Sequence, residues 1–354
     1  MWRPSDTARK KARCDNLWRG FSVEAEPEAK CDLFLAHIRD NACHGNEHLY
    51  RWLIGWFAHM VQRPEERPET SVVFIGGQGT GKTIIGKFMG ALFPAHHVPV
   101  SQPDHLLGRF NAHLKHALLI QAEEAFWAGR KDAEGALKDL ITSDIRMVEP
   151  KGVDAFAVRN HSRLLITSNE RFVVPAALEE RRFAVFEFSA AHEQDRPYFQ
   201  SIVAQMENGG LGALLHRLQT FDLSTVDVRT IPRTDALLGQ KLAHLKAHDA
   251  WWLACLEEGA ILGNALSGDW PEDVGTQELY SAYKRHAREV SNERWPVHEA
   301  EFGRWVKQVA GGRRHRPSAP AGCPRRWSYR LPVLVDARRD FEKRIGHAFP
   351  WDQD

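Results

Sequence analysis

The sequence predicts an α/β fold, in which a core with a mainly parallel β-sheet follows a helical region and precedes a basic domain of winged-helix type. Three observations predict it. Short apolar runs alternate with polar helical stretches between about residues 70 and 230, as in parallel α/β domains. The residues before this zone carry apolar side chains at helical spacing. The residues after it combine amphipathic helices with a basic, strand-like segment.

Two proline-containing segments divide the chain, "RPEERPET" at residues 63–70 and "RTIPRT" at residues 229–234. We place the domain boundaries at or near these breaks. The predicted parts are an N-terminal helical region (1–66), the α/β core (67–232), a connecting helix (233–262) and a basic, winged-helix-like domain (263–354).

Composition indicates an ordinary globular protein. Of its 354 residues, 26% are charged and 43% hydrophobic, and the formal net charge is +1. The basic first sixteen residues lack the apolar segment of a secretory signal, and the most apolar run, "WLIGWFAHM", is too short to span a bilayer. We therefore expect a cytoplasmic protein without a membrane partner.

The stretch "FIGGQGTGKT" fits the P-loop pattern and lies between an apolar strand and a helix. Its glycines allow successive backbone N–H groups to point at a phosphate, and the helix N-terminus adds its positive dipole end. The lysine is expected to reach the β- and γ-phosphates and the last threonine to bind Mg²⁺. The predicted ligands are ATP and Mg²⁺. The predicted contacts are Gly76, Gly77, Gln78, Gly79, Thr80, Gly81, Lys82 and Thr83.

Two acids, Glu123 and Glu124, end the apolar run "HALLIQAEE". Ligands bind at the carboxyl ends of parallel strands, so we assign Glu123 to the metal and Glu124 to the attacking water. Two acids opening a solvated helix is the alternative, because acids are favoured there in any case.

Polar and basic residues follow at two further strands. Asn169 ends "RLLITSN", where its amide can contact the γ-phosphate or the water, although Asn is also common in turns. Arg181 and Arg182 precede the strand "FAVFEF" and suit the charge of a phosphoryl group. A surface pair satisfied by Glu179 and Glu180 is the alternative.

A hairpin is predicted from "IRMVEP" and "DAFAVRN", with Lys151 and Gly152 near its tip. These two residues are candidates for contact with a phosphate backbone. A solvated lysine beside a turn glycine is equally compatible with the pattern.

The order of these motifs resembles the superfamily 3 helicases of viruses and plasmids, a branch of the AAA+ ATPases. Several sequence segments also resemble the helicase half of phage and prophage primase–helicases, among them "WLIGWFAHMVQRP", "EPKGVDAFAVRN" and "LEERRFAVFEFS". The resemblance implies an AAA+ core, a ring of usually six subunits and 3′-to-5′ translocation. Relatives often carry a priming domain ahead of the helicase, so either a separate primase or polymerase is a partner, or the chain is a stand-alone motor or a fragment.

The resemblance also implies roles for single residues. Lys82 and Thr83 correspond to the first nucleotide motif, and Glu123 and Glu124 to the acid pair. Asn169 corresponds to the sensor, and either arginine of the later pair to a finger that completes a neighbour's site. The hairpin lysine would grip single-stranded DNA.

The C-terminal zone is strongly basic. Between residues 281 and 344 it has 16 Lys or Arg and 7 Asp or Glu, a net charge of +9. Such asymmetry is typical of a module that faces phosphates, although a winged helix can also bind proteins. The predicted DNA contacts are Arg304, Lys307, Arg313, Arg314 and Arg316.

The sequence-based hypothesis is thus an ATP-dependent replicative DNA helicase of a phage or mobile element, acting on single-stranded and forked DNA. The alternative is a DNA-bound AAA+ loader, initiator or defence ATPase that does not unwind. A small-molecule P-loop kinase is a third class, but it leaves the arginine pair, the hairpin and the basic C-terminal zone without a role.

Overall fold

A computed structural model describes residues 17–123, 131–174, 180–263, 269–290, 295–318 and 325–351. Among them, the residues up to 240 form one compact unit, unit 1, and those from 241 onward form another, unit 2. Within the described ranges, no helix is both long and apolar enough to cross a lipid bilayer.

Unit 1 is a mixed α/β structure. Its strands are β1 (Ser71–Ile75), β2 (His97–Val100), β3 (Leu119–Glu123), β4 (Ile145–Val148), β5 (Phe156–Arg159), β6 (Arg163–Ser168) and β7 (Phe183–Glu187). Its α-helices are α1 (Asp32–His37), α2 (Glu47–Gln62), α3 (Lys82–Ala91), α4 (Pro103–Leu107), α5 (Lys131–Thr142), α6 (Arg196–Gln205), α7 (Leu211–Gln219) and α8 (Asp235–Ala243). The last three residues of α8 belong to unit 2.

Five strands form a sheet in the order β2-β3-β6-β1-β7, and every pair in it is parallel. Successive side chains of a strand point to opposite faces of the sheet, and helices cover both faces. Val72 and Phe74 of β1 pack into a core with α2, α3 and α7. Val73 and Ile75 pack into a second core with α4, α5 and α8. The predicted α/β class with a mainly parallel sheet is therefore confirmed.

The helical region before the sheet belongs to the first of these cores. Helix α2 begins after Asn46, whose side chain accepts hydrogen bonds from the backbone N–H groups of His48 and Leu49. The indole of Trp52 donates to the backbone carbonyls of Asp227 and Thr230. The N-terminal helices are thus joined to the last segment of the same unit.

Strands β4 and β5 form the predicted antiparallel hairpin beside the main sheet. Its base is fixed by Arg67, whose guanidinium donates to the carbonyls of Ile141 and Thr142 and pairs with Asp144 at 2.5 Å. The turn at its tip holds Lys151 and Gly152, both exposed.

Unit 2 is built from helices around a small antiparallel sheet with the strand order β8-β10-β9. The connecting segment predicted as one amphipathic helix is interrupted, because α8 ends at Ala243 and the next helix begins at Ala247. The elements of unit 2 are α9 (Ala247–Glu258), β8 (Asp273–Gly275), α10 (Thr276–Glu289), α11 (Glu299–Gln308), β9 (Arg313–His315), β10 (Ser328–Arg330) and α12 (Leu334–Ile345).

Candidate functional site

Polar groups from three neighbouring strands meet at one edge of the sheet. Ile75, the last residue of β1, pairs with Ser168 of β6, and Glu123 of β3 pairs with Thr167. The glycine-rich loop follows the first of these residues, and Asn169 follows β6. A cavity of about 370 Å³ lies at this edge, and Lys82, Thr83, Glu123 and Asn169 all line it. Gln78, Gly79 and Gly81 line it as well, so the structure brings together seven of the residues that the sequence assigned to nucleotide and metal.

The loop has the backbone conformation that its glycines permit. Gly76, Gly79 and Gly81 have φ angles of +142°, +83° and +87°, a region that side chains with a Cβ rarely enter. The buried hydroxyl of Thr80 donates to the carbonyl of Gly77 at 2.9 Å and closes the turn internally. Helix α3 begins directly after the loop, so its first N–H groups face the cavity.

Lys82 is folded onto the loop in this structure. Its ammonium group donates to the carbonyls of Gly76 and Gly77 at 2.7 and 2.6 Å, and to the side-chain oxygen of Asn169 at 3.1 Å. Only 6% of the residue is exposed. The positive charge is thus held at the cavity wall by oxygens that a phosphate can replace.

Thr83 and Glu123 supply a hydroxyl and a carboxylate, the oxygen ligands that Mg²⁺ prefers. The side chain of Gln121, which sequence reasoning did not select, lies beneath them. Its amide nitrogen donates to the carbonyl of Thr83 at 3.2 Å and to the carboxylate of Glu123 at 3.1 Å. Its amide oxygen therefore accepts from the ring of His97 at 3.0 Å. The sequence signal that could have identified Gln121 is a polar residue within the apolar run "HALLIQAEE", and the residue is buried in the structure.

The second predicted acid, Glu124, lies outside the described residues. Within the described ranges no group of three or more His, Cys, Asp or Glu residues could hold a metal ion. The assignment of Thr83 and Glu123 to a metal stays a prediction.

His37 supports the loop from behind. Its Nδ1 accepts from the amide of Asn41 at 3.1 Å, so its Nε2 carries the proton and donates to the carbonyl of Gly81 at 3.3 Å. Burial lowers the pKa of His37 to about 4, so the imidazole is neutral near pH 7. The ring of Phe199 in α6 packs at the same place, because a Cβ on Gly81 would lie 2.5 Å from it. The sequence offered no signal for these long-range contacts.

Arg181 and Arg182 lie at the opposite edge of the sheet. The carbonyl of Arg182 accepts from the N–H of Ser71, the first residue of β1, and the loop follows that strand about 13 Å further along. The buried carboxylate of Glu180 accepts hydrogen bonds from the backbone N–H groups of Arg181 and Arg182. It also lies 3.5 Å from the guanidinium group of Arg182. A single chain does not bring this pair to the loop.

The predicted DNA contacts fall in two places. Lys151 and Gly152 are at the hairpin tip in unit 1, and the glycine has a φ of +78°. In unit 2, a groove of about 340 Å³ is lined by Arg304, Lys307 and Arg314. The structure thus brings three of the five predicted C-terminal basic residues into one groove.

Trp327 is an aromatic component of this basic surface. Its ring lies 4.3 Å from the guanidinium carbon of Arg314 and 4.5 Å from that of Arg316, and 39% of the residue is exposed. Arg313 is exposed on the same strand, β9, where it pairs with Arg330. An exposed indole among arginines combines an aromatic surface with positive charge, the two features that single-stranded nucleic-acid sites use.

Comparisons with known proteins give three findings. The sequence model of DUF5906, a family of unknown function, matches residues 74–182. The "DNA Primase-polymerase" of Nitratiruptor phage NrS-1 is 28% identical over 233 residues, which are 62% of this chain. The matched region is 32% of that protein, so this chain spans about a third of its relative's length.

Solved structures of the C-terminal region of NrS-1 have the same fold. One apo structure of residues 305–718 has a TM-score of 0.70 at 18% identity, and the alignment covers 94% of this chain and 84% of that one. A second apo structure, the A form, has a TM-score of 0.68 at 19% identity with the same coverage.

These comparisons correct the sequence-based interpretation. The matched relative is a DNA primase-polymerase, and the matched family has no assigned function, so the recognition as a superfamily 3 AAA+ helicase is wrong. The prediction of an ATP-dependent replicative helicase, with its non-unwinding loader alternative, is wrong as well. The physical reason is that a phosphate-binding loop and polar strand ends define where a triphosphate can bind, whereas unrelated reactions share that geometry.

Proposed function

We propose that this chain is the nucleoside-triphosphate-binding and DNA-contacting part of a phage DNA-replication enzyme of the primase-polymerase kind. The observation that carries the proposal is the convergence of Lys82, Asn169, Thr83 and Glu123 on one cavity at the carboxyl edge of the parallel sheet. The relationship to the NrS-1 protein supports a role in nucleotidyl transfer on DNA.

In this proposal the loop N–H groups and Lys82 bind the phosphates of ATP or another nucleoside triphosphate. Thr83 and Glu123 hold Mg²⁺, which neutralises phosphate charge, and Gln121 keeps the carboxylate oriented. The side-chain oxygen of Asn169 accepts a hydrogen bond from the Lys82 ammonium group and positions that group for the terminal phosphate.

Unit 2 is proposed as a winged-helix-like DNA-binding unit. Its small antiparallel sheet, the helix α11 and the groove lined by Arg304, Lys307 and Arg314 support this role. Lys151 at the hairpin tip of unit 1 is a further proposed contact with a DNA backbone. Single-stranded template DNA is the proposed partner.

The test is binding of Mg²⁺-ATP, followed by incorporation of labelled nucleotides on a single-stranded DNA template. Lys82→Ala is expected to lose both, because it removes the phosphate-binding charge. Lys87→Ala is the matched control, since Lys87 is an exposed lysine of the same helix, α3, that does not line the cavity.

Unchanged ATP affinity in Lys82→Ala would refute the triphosphate site. ATP binding that depends on Lys82, together with no template-dependent incorporation by the wild-type chain, would keep the site and refute nucleotidyl transfer by this chain.

A further inference from the structure

A second and larger cavity adjoins the phosphate-binding cavity. Its volume is about 750 Å³, and it shares Gln78, Gly79 and Phe199 with the smaller cavity. Its volume lies within the range of about 300–1,000 Å³ that is typical of small-molecule sites. A ligand whose phosphates occupy the loop can therefore extend directly into it.

Helix α6 forms the wall of this cavity. Phe199, Val203 and Ala204 present an aromatic ring and two small apolar side chains, and Gln200 lies beside them on the same face. The start of the helix is fixed by Asp195, whose carboxylate accepts from the N–H of Tyr198 at 3.1 Å.

The wall is joined to the loop by direct contacts. The N–H of Gln194, a residue with a φ of +59°, donates to the carbonyl of Gly79 at 3.0 Å. The ring of Phe199 packs against Gly81, and the neighbouring Tyr198 hydroxyl accepts from the amide of Asn41. The position of the cavity relative to the phosphate-binding residues is therefore set by the fold.

The lining has the chemistry that a nucleobase and its sugar need. The aromatic ring and aliphatic side chains offer an apolar surface for a flat base. The amides of Gln78, Gln194 and Gln200 can each donate and accept a hydrogen bond, as base edges do. Arg196 adds a cation at the rim.

We propose that this cavity is the nucleoside subsite, in which α6 binds the base and sugar of the triphosphate that the loop holds. The inference rests on the proposed function, because it takes the smaller cavity as the phosphate site. It extends that function by assigning base selectivity to the glutamine side chains of α6 and of the segment before it.

The test uses two substitutions on α6. Ala204→Trp places an indole in the cavity at an exposed helical position, so the fold tolerates it. Ser201→Trp is the matched control, because Ser201 is exposed on the same helix and does not line the cavity. The probes are Mg²⁺-ATP and Mg²⁺-tripolyphosphate, which has phosphates but no nucleoside.

Ala204→Trp is expected to weaken ATP binding roughly tenfold or more, whereas the affinity for tripolyphosphate stays within about twofold of wild type. Ser201→Trp is expected to bind both probes like wild type. Gln200→Ala is expected to change the order of affinity among ATP, GTP, CTP and UTP, because one base-edge partner is lost.

The subsite is refuted if Ala204→Trp binds ATP like Ser201→Trp, or loses both probes equally. Either result leaves the proposed function standing as long as Lys82→Ala still abolishes binding of both probes. If Lys82→Ala binds both probes normally, the proposed function itself fails.

Discussion

Replacing Gly81 with alanine tests whether the fold holds the loop in one conformation. Gly81 has a φ of +87°, and the left-handed region costs an alanine about 1–2 kcal/mol. The new Cβ would lie 2.5 Å from Phe199 and 2.6 Å from Nε2 of His37. Because His37 is fully buried and hydrogen-bonded to Asn41, it cannot move away freely. Overpacking of this kind typically costs a further 1–3 kcal/mol or so.

We therefore expect Gly81→Ala to lower the free energy of unfolding by about 2–5 kcal/mol. The measurement is urea denaturation followed by circular dichroism, together with Mg²⁺-ATP binding, which should also weaken. Gly135→Ala is the control, since Gly135 lies in α5 with open space around a Cβ, and it should gain roughly 0.5–1 kcal/mol. If Gly81→Ala is as stable as wild type and binds ATP normally, the loop is not confined as described.

Three further predictions concern other groups. Burial lowers the pKa of three histidines of unit 1 to about 4, 3 and 4: His37, His59 and His161. Below pH 6.5 the unfolded chain binds more protons than the folded chain, so the free energy of unfolding should fall as the pH decreases toward 4, by up to about 3 kcal/mol for His37. His37→Gln should therefore flatten the measured dependence of the free energy of unfolding on pH. Gln121→Leu removes the donor to Glu123 and should weaken Mg²⁺-dependent ATP binding roughly tenfold or more in calorimetry, with little change in metal-free binding. Arg314→Ala should lower the salt dependence of single-stranded DNA binding by a slope of about 0.7, whereas the exposed, Asp336-paired Arg339→Ala should leave it unchanged.

The carboxyl edge of the sheet could be predicted from sequence because its signals are local. Four of the five strands of the sheet, β1, β3, β6 and β7, are apolar runs in the sequence. The carboxyl ends of β1, β3 and β6 must meet once those strands are parallel neighbours. Strand β2 was missed because it is short, partly exposed and contains Pro99, as edge strands often do. The break between α8 and α9 could not be predicted, because no proline or glycine lies between Ala243 and Ala247.

The supports of the loop could not be predicted in the same way. His37 and Phe199 are 44 and 118 positions from Gly81, and nothing in their local sequence indicates that they meet. The arginine pair was assigned to a neighbouring subunit's site, and its place at the far end of β1 in a single chain leaves that assignment a prediction. The functional error arose because motif order identifies a phosphate site but not the reaction that uses it.

The contact between His37 and Gly81 bears on the smallest fragment that can carry the nucleotide site. The segment matched by the family of unknown function, residues 74–182, contains the loop, Glu123 and Asn169. It lacks α1 and α6, whose His37 and Phe199 close the back of the loop. A protein cut to that segment would lose the first three residues of β1 and would expose the apolar side chains of α3 that pack in one core with α2 and α7. The segment that the family model matches is therefore shorter than the compact unit that holds the loop in place, which includes α1 before it and α6 and α7 after it.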